Sequence, residues 1–288
     1  MPELPEVETV RMQLWSKLSG RKIIRVKVFH EKTVGADGGF SRKLKGLTFA
    51  DINRIGKLLI FSFRNKPGLY LLGHLKMTGQ FFFVDKKGKL VGGGHAVSAA
   101  DTIQFPGRHT RVAFHLEDGG TLYFNDMRLF GYLRLANEKS LQETRARFGP
   151  EPIAADFDPE QFADSLKKRK SSIKAVLLDQ TFVAGLGNIY VDEALFYAGI
   201  KPTRQANKLT RVEAAKLAGG AKIILEEAIK NGGTTFQHFV DAEGKKGNHS
   251  AHLQVFGRQG LPCYRCGTII KKTRVAGRGT HYCPGCQR

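Results

Sequence analysis

Pro2, Glu3 and Glu6, at the start of the chain, are the residue types that amine chemistry needs. A small residue in second position lets an aminopeptidase remove Met1, leaving a free secondary amine beside two carboxylates. An α-amino group has a pKa of about 8, so a useful fraction is unprotonated at neutral pH without a general base. A secondary amine that attacks a sugar's anomeric carbon collapses to a charged iminium, an electron sink for elimination. The same residues suit a helix start, with Pro in the first turn and glutamates against the positive end of the dipole. On this segment alone both readings stand.

A second chemistry lies at the other end, where all four cysteines fall in the pattern Cys263-x2-Cys266-x16-Cys283-x2-Cys286. Two tight pairs at this separation read as one tetrahedral zinc site of four thiolates. Two disulfides are the alternative, disfavoured by the lack of a basic-then-apolar leader pattern and by a reducing cytosol. Four thiolates close the coordination shell, so this Zn2+ is structural.

The chain carries 46 Lys+Arg against 26 Asp+Glu, a formal charge of +20, which favours a polyanion as partner. No run reaches the roughly 18 apolar residues of a membrane span, so nucleic acid is favoured over a membrane surface. Lys167-Lys168-Arg169-Lys170 and Lys174 precede Thr181-Phe182-Val183-Ala184-Gly185-Leu186-Gly187-Asn188. There two glycines permit tight turns, and Asn188 is placed to cap the next helix. Such a turn before a helix start suits a phosphate, although a basic run can equally be a solvated face. Arg128 and Phe130 form an arginine–aromatic pair able to wedge into a base stack, and Met77 could be a second wedge; both Phe130 and Met77 also suit a core.

The elements that must position these groups come in two styles. After an apolar helical stripe over residues 5–19, short β-like runs cover 22–29, 58–63, 70–75, 80–84, 112–116, 121–125 and 131–135, separated by polar turns. Residues 92–107, rich in Gly and Ala, read as an exposed loop. Gly149-Pro150-Glu151-Pro152 and Asp156-Phe157-Asp158-Pro159 mark a hinge. Beyond it the period is helical over about 159–168, 171–179, 188–198, 210–230 and 234–240, and a flexible segment, 241–252, precedes the cysteines. The predicted class is α+β in two domains. An N-terminal helix plus β-sandwich occupies 1–136 and a hinge 137–158. A helical domain follows over 159–252, and the four-cysteine zinc-finger hairpin over 253–288.

These blocks, in this order, resemble the formamidopyrimidine-DNA glycosylase family, which includes the endonuclease VIII type. The resemblance runs the whole length. It rests on Pro-Glu-Leu-Pro-Glu-Val-Glu-Thr at residues 2–9, Ile55-Gly56-Lys57, Gly73-His74-Leu75-Lys76-Met77-Thr78-Gly79 and Asp126-Met127-Arg128-Leu129-Phe130-Gly131. It continues through Val183–Tyr190, Gln254-Val255-Phe256-Gly257-Arg258 and Gly277-Arg278-Gly279-Thr280 in the cysteine hairpin.

The resemblance implies a base-excision repair enzyme, a DNA glycosylase with abasic-site lyase activity. It also implies a helix–two-turn–helix motif and double-stranded DNA held in a cleft between the domains. By that resemblance Pro2 forms the Schiff base, Glu3 protonates and opens the sugar ring, Lys57 serves β-elimination and Arg278 serves δ-elimination. His74, His109, Arg169, Lys170 and Asn188 match phosphate-contacting positions, while Met77, Arg128 and Phe130 match residues that fill the gap left by the extruded base. The Leu-Pro-Glu-Val opening favours oxidised purines, namely 8-oxoguanine and formamidopyrimidines. The alternatives are oxidised pyrimidines or a non-catalytic nucleic-acid-binding zinc protein. Leu129 replaces a second Arg of many relatives, Arg111 a second His, and Asn248-His249 an aromatic pair in the loop over the flipped base. A monomer in a bacterial-type cytoplasm, associated with the nucleoid through DNA, is expected.

Overall fold

A computed structural model describes the chain except residues 36–37, 89, 96–104, 235–238 and 241–248. It divides into two compact units, Met1–Ala146 with Asn231–Asn248, and Arg147–Lys230 with His249–Arg288.

In the first unit, helix α1 (Leu4–Leu18) is followed by β1 (Ile23–Val28), two short helices, α2 (Glu31–Val34) and α3 (Phe40–Leu44), and then strands β2 (Phe49–Ile55), β3 (Leu58–Phe63), β4 (Leu69–His74), β5 (Gly79–Val84), β6 (Leu90–His95), β7 (Thr110–Leu116), β8 (Thr121–Asp126) and β9 (Tyr132–Asn137), closed by α4 (Glu138–Arg145). Two antiparallel sheets form, β2-β3-β4-β9 and β1-β7-β8-β5-β6, the latter extended by β10 (Phe239–Val240). Phenylalanines at alternate positions join the inner faces: Phe49 and Phe61 from one sheet meet Phe81, Phe114 and Phe124 from the other in one buried cluster. Val7, Val10, Leu14 and Leu18, at helical spacing on α1, enter the same cluster, so the amino-terminal helix is fastened to the sandwich along its length.

Several expectations are corrected here. Residues 92–95 belong to strand β6, because sheet pairing uses the backbone and Gly92 and Gly93 pair with Phe82 and Phe81 without side chains. The rest of the expected loop lies outside the described residues at 96–104. Strand β2 went unread because Asp51, Asn53 and Arg54 break its apolar alternation. The helix expected over 234–240 is not formed at Phe239–Val240, which pair with the edge of β6; residues 235–238 lie outside the described set. Part of the expected hinge, Glu138–Arg145, is helix α4, capped by the Asn137 carboxamide oxygen, which accepts from Ser140 N at 2.9 Å, and anchored by buried Leu141.

The second unit holds α5 (Pro159–Lys167), α6 (Ile173–Leu178), α7 (Asn188–Ala198), the long α8 (Arg211–Lys230) and the hairpin β11 (Lys271–Val275)–β12 (Arg278–Tyr282). Two turns over 179–187 join α6 to α7. The Gln180 carboxamide organises them, accepting from Gly185 N at 3.0 Å and donating to the carbonyls of Leu178 and Leu186. Among the described residues no helix is long and apolar enough to cross a membrane.

Candidate active site and nucleic-acid-binding residues

The amino-terminal amine group is built by the first turn of α1. Pro2 and Glu3 are buried, and Glu3 stands at the helix N-cap in a capping box with Glu6. Glu6 Oε2 accepts from the Glu3 N–H at 2.8 Å, and Glu6 Oε1 accepts from the Thr234 N–H at 2.8 Å. Glu6 is therefore a structural anchor that ties the 231–234 segment to the amino terminus. Burial lowers the pKa of the Met1 amine, with Lys57 and Arg128 lowering it further and Glu3 and Glu6 opposing them. The four side chains that this amine feels are thus drawn from three separate stretches of sequence.

Lys57 comes to the site by a tight turn. Ile55 pairs with Leu58, so Gly56 and Lys57 alone connect β2 to β3, and Gly56 takes φ +54°, a conformation that favours glycine. The Lys57 side chain is buried (5% exposed).

Arg128 and Phe130 sit on a turn after β8. Leu129 has φ +59°, and the buried Asp126 carboxylate accepts from the N–H groups of Arg128 at 3.1 Å and Gly131 at 2.6 Å, and from the Thr78 hydroxyl. Asp126, the first residue of the Asp126–Gly131 block and one to which the sequence assigns no role, is what shapes this tip. Phe130 is 52% exposed, with the Arg128 guanidinium 4.7 Å from its ring centroid, and so is not core. Met77 is half-buried. His74 is held neutral: burial first, then Lys76 and Lys57, push it down to about 3, and its Nδ1 accepts from the Lys76 N–H at 3.0 Å. His109 is half-buried, and the Arg108 side chain donates to its Nε2 at 2.9 Å. Arg111 donates to the Asp126 carbonyl at 2.8 Å, so it braces the tip of the same turn.

In the second unit Arg169 and Lys170 are exposed after α5, as a phosphate contact requires. Lys174 is different. It is wholly buried, paired with Asp192 at 2.6 Å, and donates to the Gly279 carbonyl at 3.2 Å. The expectation that it joins a basic clamp is corrected: no solvent or phosphate reaches it, and its charge is matched inside the fold. Asn188 is corrected too. Gly187 is the N-cap of α7, and the Asn188 side chain instead donates to the Gly279 carbonyl at 2.9 Å. Two donors thus hold the carbonyl of Gly279, the residue that follows Arg278. The turn before Arg278 is two residues long, Ala276 and Gly277, both with positive φ, and it leaves the Arg278 side chain exposed.

Asp192 also accepts from the His281 N–H at 2.8 Å. Its neighbour Glu193 accepts three amide N–H groups, from Gln254, Val255 and Phe256, at 2.8 to 3.0 Å. Burial raises the Glu193 pKa, while those three donors pull it the other way. Neither acid carried a signal in the sequence: they are the only charged residues of α7, and two adjacent acids give no hint by themselves that both face inward. His249 is buried in a 3-10 turn against Tyr190, and burial and His252 push it down to about 4. Its expected partner in a lid, Asn248, lies outside the described residues, as do 241–247.

The four cysteine sulfurs all lie within 4.8 Å of one another. Cys266 and Cys283 are 3.4 Å apart and Cys263 and Cys286 3.9 Å. A tetrahedron with metal–sulfur bonds of about 2.3 Å spaces its sulfurs by about 3.8 Å. The donor set fits one structural zinc. Burial and the neighbouring sulfurs push the Cys286 thiol up to about 12, and crowded thiols of this kind ionise together when a divalent cation joins them.

With this geometry in view, comparisons with known proteins agree along the whole chain. Residues 1–133 match the formamidopyrimidine-DNA glycosylase N-terminal domain, 148–240 its H2TH domain, and 260–288 a zinc finger found in FPG and IleRS. The formamidopyrimidine-DNA glycosylase of Symbiobacterium thermophilum is 43% identical, the alignment covering 100% of this chain and 89% of that one. That of Streptococcus pneumoniae is 39% identical over 100% and 99%. Among solved structures, Lactococcus lactis Fpg in complex with abasic-site DNA superposes with a TM-score of 0.85 at 37% identity, covering 99% of each chain. A mutant of that enzyme bound to Fapy-dG DNA gives 0.87 at 36% identity over 100% of each chain. A buried Pro2–Glu3 pair at a helix start, a lysine turn, an exposed arginine–aromatic tip and a four-cysteine hairpin thus occur together in a chain that belongs to the formamidopyrimidine-DNA glycosylase family.

Proposed function

We propose that this protein excises oxidised purines, 8-oxoguanine and formamidopyrimidines, from duplex DNA and cleaves the resulting abasic site by β,δ-elimination. The observation that carries the reading is the set of charged side chains around the amino terminus, Glu3, Glu6, Lys57 and Arg128, at a helix start where Pro2 and Glu3 are buried. Removal of Met1 frees the Pro2 nitrogen within this set of side chains, and its unprotonated fraction is the nucleophile.

With Met1 removed, the Pro2 nitrogen attacks C1′ of a nucleotide turned out of the stack, at a cost of a few kcal/mol. The C1′–base bond breaks with its electron pair leaving on the base, which takes up a proton. Glu3 protonates O4′, the C1′–O4′ bond opens, and loss of the nitrogen's proton leaves the iminium. Lys57 serves removal of a C2′ proton, whose electrons form the C1′–C2′ double bond of an enamine. The nitrogen lone pair then restores the iminium as the double-bond pair shifts to C2′–C3′ and the C3′–O bond breaks with its electrons on the 3′ phosphate. Loss of a C4′ proton then expels the 5′ phosphate, whose charge Arg278 offsets. His74, His109, Arg169, Lys170 and Asn188 contact backbone phosphates. Met77, Arg128 and Phe130 fill the vacated stack, the exposure of Phe130 favouring this over a core role. Retention near nucleoid DNA follows from the +20 charge.

A wider lesion range has one observation in its favour, since the Lactococcus lactis enzyme has been solved with oxidised-pyrimidine DNA. Incubation with duplexes carrying single lesions, in the presence of borohydride, tests both points. A covalent adduct on 8-oxoguanine DNA that disappears when Met1 is retained is expected. Trapping that survives a blocked Pro2 but is lost in Lys57→Ala would assign the wrong amine, and DNA binding with no adduct on any lesion would leave only a non-catalytic binder. Faster release of oxidised pyrimidines than of 8-oxoguanine would overturn the purine assignment.

A further inference from the structure

We propose that Glu8 and Arg54 are positioning residues that set the Lys57 turn against the helix bearing Pro2 and Glu3, and that they act on elimination rather than on adduct formation. The inference rests on the role assigned above to Lys57. Arg54 lies on β2, two residues before the turn. Its Nη1 donates to the Gly56 carbonyl at 2.8 Å, and its Nε donates to Glu8 Oε2 on α1 at 2.9 Å. One planar guanidinium therefore grips the peptide that leads into Lys57 and, at the same time, the helix that carries the amine. The Arg54 side chain is only 7% exposed, so this geometry is shielded from water and held by short, charge-assisted bonds.

Glu8 is itself fully engaged. Its Oε1 accepts from Arg11 Nε at 2.9 Å and Nη2 at 2.7 Å, and Arg11 Nη1 donates to the Ile52 carbonyl on the same strand β2. Burial would raise the Glu8 pKa, yet the bonds from Arg11 and Arg54 hold it below the usual carboxylate value. The carboxylate thus stays charged and able to hold both arginines. Pro2 and Glu3 are fixed by a separate set of hydrogen bonds, the capping box and the Glu6–Thr234 contact. Loosening Glu8–Arg54 should accordingly displace Lys57 while leaving the amine in place. Displacement of a reacting group by about 1 Å can cost on the order of 100-fold in rate.

The test compares two single-turnover rates for the full-length, zinc-loaded chain on one abasic-site duplex: borohydride trapping, which reports the adduct, and strand cleavage, which reports elimination. Arg54→Lys keeps the charge but cannot hold Glu8 and the Gly56 carbonyl in one fork. It should slow cleavage by roughly 10- to 100-fold, with trapping kept within about threefold of the unsubstituted chain. Glu8→Gln should shift the same ratio in the same direction, and it decides the matter if Arg54→Lys does not fold. Arg11→Lys, which loosens the same helix and strand but not the turn, should leave the ratio unmoved. Equal losses in both rates, an unchanged ratio in Arg54→Lys and Glu8→Gln, or an equal shift in Arg11→Lys would overturn the proposal. Lys57→Ala separates the two levels. If it leaves the ratio unchanged, the role of Lys57 fails and the positioning claim with it. If it lowers the ratio while Arg54→Lys does not, the positioning claim alone fails.

Discussion

The two units hold their chemical groups by different means. In the first, a phenylalanine-rich interior between two sheets does the work, and α1 adds its own apolar stripe to that interior. Pro2, Glu3 and Lys57 are borne at its margins, by a helix start and a two-residue turn that follow from strand register. In the second, the hairpin bearing Arg278 has little apolar surface to offer: Val255, Cys263, Ile270 and Cys283 pack with Phe196 in a small cluster. Its place is set instead by four thiolates and by buried polar contacts, Lys174 with Asp192 and Gly279, Asn188 with Gly279, and Glu193 with the 254–256 amides. A hydrophobic interior fixes position through many weak contacts and tolerates the loss of one. A small metal-stapled element depends on few strong ones, and each loss is correspondingly severe.

The largest expected effect comes from the metal. Zinc binding to such sites contributes on the order of 10 kcal/mol to folding. Cys283→Ser, or chelation, should expose the amides of β11 and β12 to rapid hydrogen exchange and abolish duplex binding, while β3, β4 and β8 remain protected. Equal loss of protection in both units would show that they do not differ in the way described. Next is the buried ion pair. Lys174→Met leaves Asp192 charged and without its cation, at a cost of about 3–5 kcal/mol in chemical denaturation. Adding Asp192→Asn, which removes the charge and keeps an acceptor for the His281 N–H, should recover more than half of that. A cost below about 1 kcal/mol for Lys174→Met would mean that the pair is dispensable and the hairpin is held by zinc alone.

The smallest effect concerns pH. His74 is neutral in the fold, with its pKa near 3 against 6.5 ordinarily, so the unfolded chain binds more protons between those values. Stability is therefore full above pH 6.5 and falls as pH drops toward 3, by about 3 kcal/mol at pH 4.5. His74→Gln should flatten this slope in urea midpoints measured from pH 7 to 4.5. An unchanged slope would assign the acid sensitivity to the second unit, where His249 sits near 4.

Much of this could be read before any coordinates. The apolar period of α1, most strands of the sandwich, the helices at 159–167 and 188–198 and the cysteine pattern all declare themselves through local spacing. What escaped did so for identifiable reasons. Strand β6 is glycine-rich and β2 polar at several positions, so neither shows an alternating signal, and both exist because a neighbouring strand offers its backbone. Lys174 stands near four exposed cations in sequence and nothing there sets it apart, yet its partners lie 18 and 105 residues away. Glu6 looked equivalent to Glu3 until Thr234, 228 residues on, took its second oxygen.

The sequence alone determined which groups can react or ligate. Nucleophilicity of an imino terminus, zinc coordination by paired thiols and the turn-forming glycines are properties of residue type and near spacing. Only the tertiary structure decided which charged residues face water and which are locked inside. That choice depends on desolvation and on partners brought from distant segments, and neither is written in any local stretch of chain.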